Sequence, residues 1–554
     1  MENLKEKDKL KKYISESRKN NKIANLALKN KYIFFGNFDE VIFSNKFNWN
    51  YKHLHSQNTY QVYMHTLNIV GFLTNSFYET SKIEYISKAR DILKDWIDSE
   101  ENTYDSTKNA SWKDHSVASR VKNIIFYQLL APDNLKLEKS TIEIQLKLHG
   151  DYLSDREHYS ENNHGMMSDE ALLLISNFIE SPELSARFKE ISVLRMERII
   201  YKLFSSKGMN LENSPEYHKL TQILSRKFIK LTEIMGIEFD QKCKDIIANS
   251  LKIDSLIIKP NNTYPLIGDT GLRTLHIKKS YDNFIDYQAG LAIINTLNKE
   301  QEINSSWLSF KAGYVSKSHK QLDDLSINYY HQGEDILVDS GKYNYDRKDP
   351  MKQYVRSPIA HSTFLSKEKI YALTNPLDDI DYLRLVFIKE TPAFVHMAAI
   401  NHLYENMNVW RDIIYFESKG FIVIDRYLTD TARLVAQNFN LHEELTVKKG
   451  EGNEYKISTP NNVKLVLKEH TPRTVNRYYG HSHKERGFIS RKFGQFIETQ
   501  QIEFIKKSYK NQFITTLHEE KAIHFANLEL VDEVLSIEVN GEKHTVYLQA
   551  QNLV

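Results

Sequence analysis

The chain has 554 residues, more than one ordinary hydrophobic core organises, so two large domains are expected. Its 74 basic and 72 acidic residues nearly cancel to a net charge of +2, which excludes a general nucleic-acid binder. Cys243 is the only cysteine, so no intrachain disulfide forms, and no run of about 18 apolar residues offers a membrane span. The first 22 residues are charged and lack the apolar stretch of a secretory signal. The expected location is therefore cytoplasmic, with the periplasm as the alternative.

In chain order, residues 1–39 open Lys- and Glu-rich and read as a frayed helical extension. From about 56 to 280, within an expected helical domain of residues 40–285, the apolar spacing is helical, with segments at Ile83–Ile97, 117–130, 142–153, 171–179, 182–204 and 216–235. Helices of this length on short polar loops predict antiparallel hairpins packed in a ring or bundle. No fixed sequence period supports a regular solenoid. From 286 to 554 the pattern becomes short runs of Val, Ile, Thr, Tyr and Phe broken by Gly, Asn and Asp, which predicts antiparallel stacked sheets. Gln332-Gly333 and Asn540-Gly541 are the clearest hairpin turns.

Four short stretches carry groups suited to chemistry. Glu161-Asn162-Asn163-His164-Gly165 precedes a helix, where amide and imidazole donors hold an anionic oxygen or, more blandly, cap the helix. In Glu212-Asn213-Ser214-Pro215-Glu216-Tyr217-His218, Pro215 starts a helix and sets Tyr217 in its first turn, where the helix dipole favours a transient tyrosinate. Leu266-Ile267-Gly268-Asp269 is a turn that presents Asp269. Residues 318–364 gather His319, Asp323, Asp339, Tyr343, Tyr345, Tyr354, Arg356 and His361 around a predicted hairpin. Taken singly, each has a structural reading as cap, packing or solvated polar residue.

In order, NNHG, SPEYH, GD, SHKQLDDLS, VDSGKYNY and RSPIAHSTF resemble the heparinase II/III-like polysaccharide lyases, alginate lyases included. The resemblance implies an incomplete (α/α) toroid followed by an antiparallel β-sandwich. It also implies cleavage of a uronic-acid-containing polysaccharide or oligosaccharide by β-elimination, leaving a 4,5-unsaturated uronate. Neither nucleic acid nor membrane is an implied partner. Carried over, Asn163 neutralises the uronate carboxylate with His164 beside it, Tyr217 is the catalytic tyrosine, and His319 is a base or carboxylate partner. Tyr345 is the further tyrosine, with Tyr343 nearly as good a candidate.

Asp339 and His361 match two ligands of a structural zinc. The third ligand position holds Gln321, whose amide oxygen is a poor zinc ligand, so no cofactor is required and tight zinc is not expected. Asn162, Glu212, Arg120 and Arg356 are candidates for substrate binding. Two other classes stand beside this reading. A glycoside hydrolase on a similar toroid would recruit carboxylates such as Glu212, Asp169 and Asp269. A non-catalytic acidic-glycan-binding protein would need only the groove.

Overall fold

The computed structural model describes residues 2–36, 38–44, 46–54, 57–104, 110–471, 474–480 and 486–548. The chain divides into two compact units, Met1–Leu203 with Leu220–Ile247, and Phe204–Lys219 with Ala248–Val554.

The first unit is helical. Ile83–Ile97 is a helix over the predicted bounds, and Asp114–Leu130, Lys139–Ser154 and Pro182–Leu203 lie within a few residues of theirs. Asn163–Phe178 begins eight residues earlier than the apolar pattern shows, because Asn163, His164, Ser168, Asp169 and Glu170 interrupt that pattern in its first turns. Tyr60, Leu73, Ile86, Leu93, Trp96, Ile124 and Tyr127 from successive helices form one buried core. The amino-terminal residues are part of this unit rather than a separate extension. In the helix Glu2–Ser15, Leu10, Tyr13 and Ile14 are buried, and the Tyr13 hydroxyl donates to Glu170 at 2.7 Å.

The second unit is built on antiparallel sheets. A five-stranded meander, running from Phe284–Asp286 to Glu334–Leu337, faces a ten-stranded sheet whose longest strands are Gly420–Asn440 and Gln500–Glu519. Their facing sides share one core that includes Ile294, Phe310, Tyr329, Ile413, Val423, Phe439 and Phe504. Period-two alternation sends Ile414, Phe416, Ile422 and Ile424 to the opposite face, where they meet Leu535, Ile537 and Val546 of the last meander. The outer face of the five-stranded sheet packs Leu291, Ile293, Trp307 and Tyr330 on Ile253, Ile257 and Tyr264. Both predicted two-residue turns form: Gln332 and Gly333 have φ of 50° and 88°, and Asn540 and Gly541 have 50° and 89°.

The boundary between the units differs from a single cut at 285. Phe204–Lys219, which carries Tyr217, belongs to the sheet-containing unit although it lies inside the helical stretch of sequence.

Candidate functional site

Two polar clusters account for the sequence motifs, one in each unit. In the helical unit, the Asn162 side chain accepts from the His164 N–H at 2.8 Å and caps Asn163–Phe178, so the bland reading of that residue is the observed one. Gly165 has no room for a side chain, since a Cβ there would lie 2.1 Å from the Ser160 carbonyl oxygen. Asn163 is the first helical residue, half-buried, and its side chain makes no hydrogen bond among the described residues. The His164 imidazole, 46% exposed, meets Asp114 through Nδ1 at 3.2 Å. That hydrogen bond raises the His164 pKa, whereas burial pulls neighbouring His115 down to about 4.

In the sheet-containing unit Tyr217 lies in the first turn of a helix that starts at Pro215. The Tyr217 ring stacks on His319, centroids 3.3 Å apart and planes at 16°, and its hydroxyl lies 3.0 Å from that of Tyr345. This distance favours Tyr345 over Tyr343, whose ring lies 6.1 Å from Phe496. The helix dipole does not prevail at Tyr217. Burial, the Tyr345 hydrogen bond and the Asp269 and Glu216 charges together push the phenol well above its ordinary pKa, so it rests neutral.

His319 Nδ1 lies 3.4 Å from Asp269 Oδ2, and Lys352 Nζ donates to Asp269 Oδ1 at 2.7 Å. Burial alone would raise Asp269, but His319 and Lys352 outweigh it and hold the carboxyl at about 2. His319 itself has a left-handed φ of 56°, a costly conformation for a residue with a side chain. Gly268 explains how it is held: at φ 58°, a Cβ on Gly268 would lie 2.3 Å from the Asn213 carbonyl oxygen and 2.9 Å from that of His319. Residues 212–218 and the GD and SHKQ stretches therefore meet at one glycine. Glu216, beside Tyr217, receives Gly271 N–H, Arg273 and Lys342, each at 2.9 Å.

Other predicted residues are placed differently. Arg120 is fully buried, donating to His149, the His65 carbonyl and the Ser111 carbonyl, with Trp96 4.1 Å below its guanidinium. Burial lowers its pKa to about 9. It is thus a core cation of the helical unit and presents no face to a substrate, a correction to its expected role. Glu212 is buried, and Asp169 is buried against the Tyr159 hydroxyl at 2.7 Å. Arg356 is half-buried, and no acidic partner for its side chain occurs among the described residues.

The implied metal position is bordered by three side chains. Gln321 Oε1, Asp339 Oδ2 and His361 Nε2 are buried without hydrogen-bond partners in the protein, so acceptor atoms exist. Charge is what the set lacks. Asp339, hydrogen-bonded to His361, is its one carboxylate, and Gln321 spends its amide nitrogen on the Gly268 and Gly341 carbonyls at 3.0 Å. Asp323 and Asp324 are engaged by the buried Lys320 ammonium, which donates to Asp324 at 2.8 Å. No group of three or more His, Cys, Asp or Glu side chains suited to a metal occurs among the described residues. Among these donors the amide oxygen of Gln321 is the weak one for zinc, which prefers imidazole, thiolate or carboxylate.

Lys352, Lys342 and Asp114 were not signalled by the sequence. Lys352 is 83 residues from Asp269, and no local pattern marks a pair at that separation.

Residues 2–290 match the family described as Heparinase II/III N-terminus, and residues 287–525 match Heparinase II/III-like, C-terminal. A heparin-sulfate lyase of Pedobacter heparinus is 20% identical over 453 residues, covering 72% of this chain and 65% of the relative. The match thus spans less than two thirds of that protein's length. The crystal structure of a heparinase III superposes with a TM-score of 0.77 at 18% identity, covering 95% of this chain and 90% of that one. Heparan sulfate lyase HepC from Pedobacter heparinus gives 0.72 at 16%, covering 95% and 88%. These likenesses establish the fold, a helical toroid followed by an antiparallel β-sandwich. With its two halves matched in order by the two family models, the chain belongs to the heparinase II/III-like family.

Proposed function

We propose that the protein is a polysaccharide lyase that cleaves a uronic-acid-containing acidic polysaccharide or oligosaccharide by β-elimination. The observation that carries this reading is the Tyr217 phenol, hydrogen-bonded to Tyr345 and stacked on a histidine that Asp269 orients. Asp269, held ionised, accepts from His319 Nδ1–H in the tautomer that leaves Nε2 with a lone pair able to take a proton. Tyr217 keeps its phenol proton and so has one to give. In the elimination a base removes the C5 proton, its electron pair forms the C4–C5 double bond, and the C4–O bond breaks. The departing glycosidic oxygen then takes a proton from the phenol. His319 is assigned the first transfer and Tyr217 the second.

The C5 proton is acidic enough only once the uronate carboxylate is neutralised, and Asn163 is assigned that task with His164. An amide does not titrate, so Asn163 holds charge and moves no proton. Support for it comes from its family motif and its place at a helix N-terminus.

The hydrolase reading is less favoured, because Asp269 is tied to His319 and Lys352 and Asp169 is buried against Tyr159. Incubation with candidate acidic polysaccharides, read by ultraviolet absorbance of the unsaturated product, tests the proposal. New reducing ends without that absorbance would make the protein a hydrolase, and binding without cleavage would make it a glycan-binding protein. The same preparation should hold well under one zinc per chain by elemental analysis. One tightly held zinc would overturn the metal-free reading.

A further inference from the structure

A cavity of about 380 Å³ in the sheet-containing unit shares Lys352 with the Tyr217–His319 cluster and has no role in the chemistry above. Lys317, Lys320, Arg347, Lys352 and Arg356 line it, and no carboxylate does. Five cations without a lining anion are unexpected in a chain whose total charge is +2. Two of them are occupied: Lys320 binds Asp323 and Asp324, and Lys352 binds Asp269. The side chains of Lys317, Arg347 and Arg356 have no acidic partner among the described residues. Leu322, Leu373 and Tyr371 give the same lining apolar surface. Apolar surface for ring C–H groups, with cations around it for charged substituents, suits an acidic sugar.

We propose that this cavity is an oxyanion subsite, which takes a sulfo or carboxylate group on a sugar of the acidic chain, with Arg347 and Arg356 as its main ligands. Guanidinium forks match the paired oxygens of either group, and Lys317 adds a mobile third charge. Lys352 joins the subsite to the proton-transfer groups, because it both lines the cavity and binds the carboxylate that orients His319. The subsite would then hold its sugar one carboxylate away from the reacting imidazole. This inference rests on the acidic-polysaccharide reading and deepens it.

The test measures binding without turnover, by titration calorimetry of two heparan-type oligosaccharides. One is carboxyl-reduced and keeps only sulfo groups; the other is desulfated and keeps only carboxylates. The double variant Arg347→Gln/Arg356→Gln should bind at least one probe roughly tenfold or more weakly than the natural protein. The probe that loses affinity identifies the group recognised. Lys317→Gln, at an exposed position, should weaken the same probe by a smaller factor. Unchanged affinity of the double variant for both probes, with its thermal midpoint intact, overturns the subsite, as does failure of the natural protein to bind either. Failure of the lyase reading would appear separately, as absence of unsaturated product from the natural protein.

Discussion

The two polar clusters are built on opposite principles. Around Tyr217 and His319 nearly every group is braced: ring on ring, hydroxyl on hydroxyl, carboxylate on ammonium, and a glycine that fits only without a side chain. Around Asn163 and His164 the groups stand half-buried or exposed at a helix start, and the His164 imidazole is bonded to Asp114. Groups that move protons gain from fixed geometry and tuned pKa, because small misplacements cost large factors in rate. A neutral amide that only receives charge needs a free donor and tolerates exposure.

The sharpest way to break this contrast is Tyr217→Phe. It keeps the stacked ring and removes only the hydroxyl, so unsaturated product should fall by roughly a thousandfold or more while the thermal midpoint stays nearly constant. Near-normal turnover would move the proton-donor role to Tyr345. Asn163→Ala comes next, with kcat down by about a hundredfold. Since its side chain makes no hydrogen bond among the described residues, stability should not change, and a large drop in thermal midpoint would show that the amide is structural instead.

Gly268→Ala asks whether the bracing itself matters. The added Cβ meets two carbonyl oxygens at a left-handed φ, so stability should fall by ~2 kcal/mol or more and activity with it. Unfolding in denaturant against residual activity checks this, and an unaltered midpoint would mean that the three motifs do not depend on their close approach. The smallest effect belongs to the open cluster. His164 has a raised pKa, so its link to Asp114 contributes fully below the unfolded value of about 6.5 and is lost as pH rises through the folded one. Asp114→Asn should bring the His164 titration, followed by NMR, back toward its ordinary midpoint. A midpoint that does not move would assign the shift to some other charge.

Much of the fold was legible in the sequence. Ile83–Ile97 shows apolar residues at helical spacing with its ends at the observed bounds. Asn540-Gly541 requires positive φ twice in succession, and it has both. The start of Asn163–Phe178 was not legible as helix, because Ser168, Asp169 and Glu170 are buried there and a periodicity argument counts only apolar residues. Arg120 illustrates the same limit in reverse. Its charge suggests the surface, but two indole faces and three acceptors make burial tolerable.

By itself the sequence determined the succession of helical and antiparallel parts, the two tight turns and the order of the motifs, since each depends on residues near one another in the chain. Tertiary structure alone decided that Tyr345 rather than Tyr343 meets Tyr217, and that Lys352 binds Asp269. It also decided that Tyr217 rests neutral despite the helix dipole, and that five cations border one cavity. Those outcomes depend on burial and on charges brought together from tens of residues apart, and neither is encoded in any local spacing.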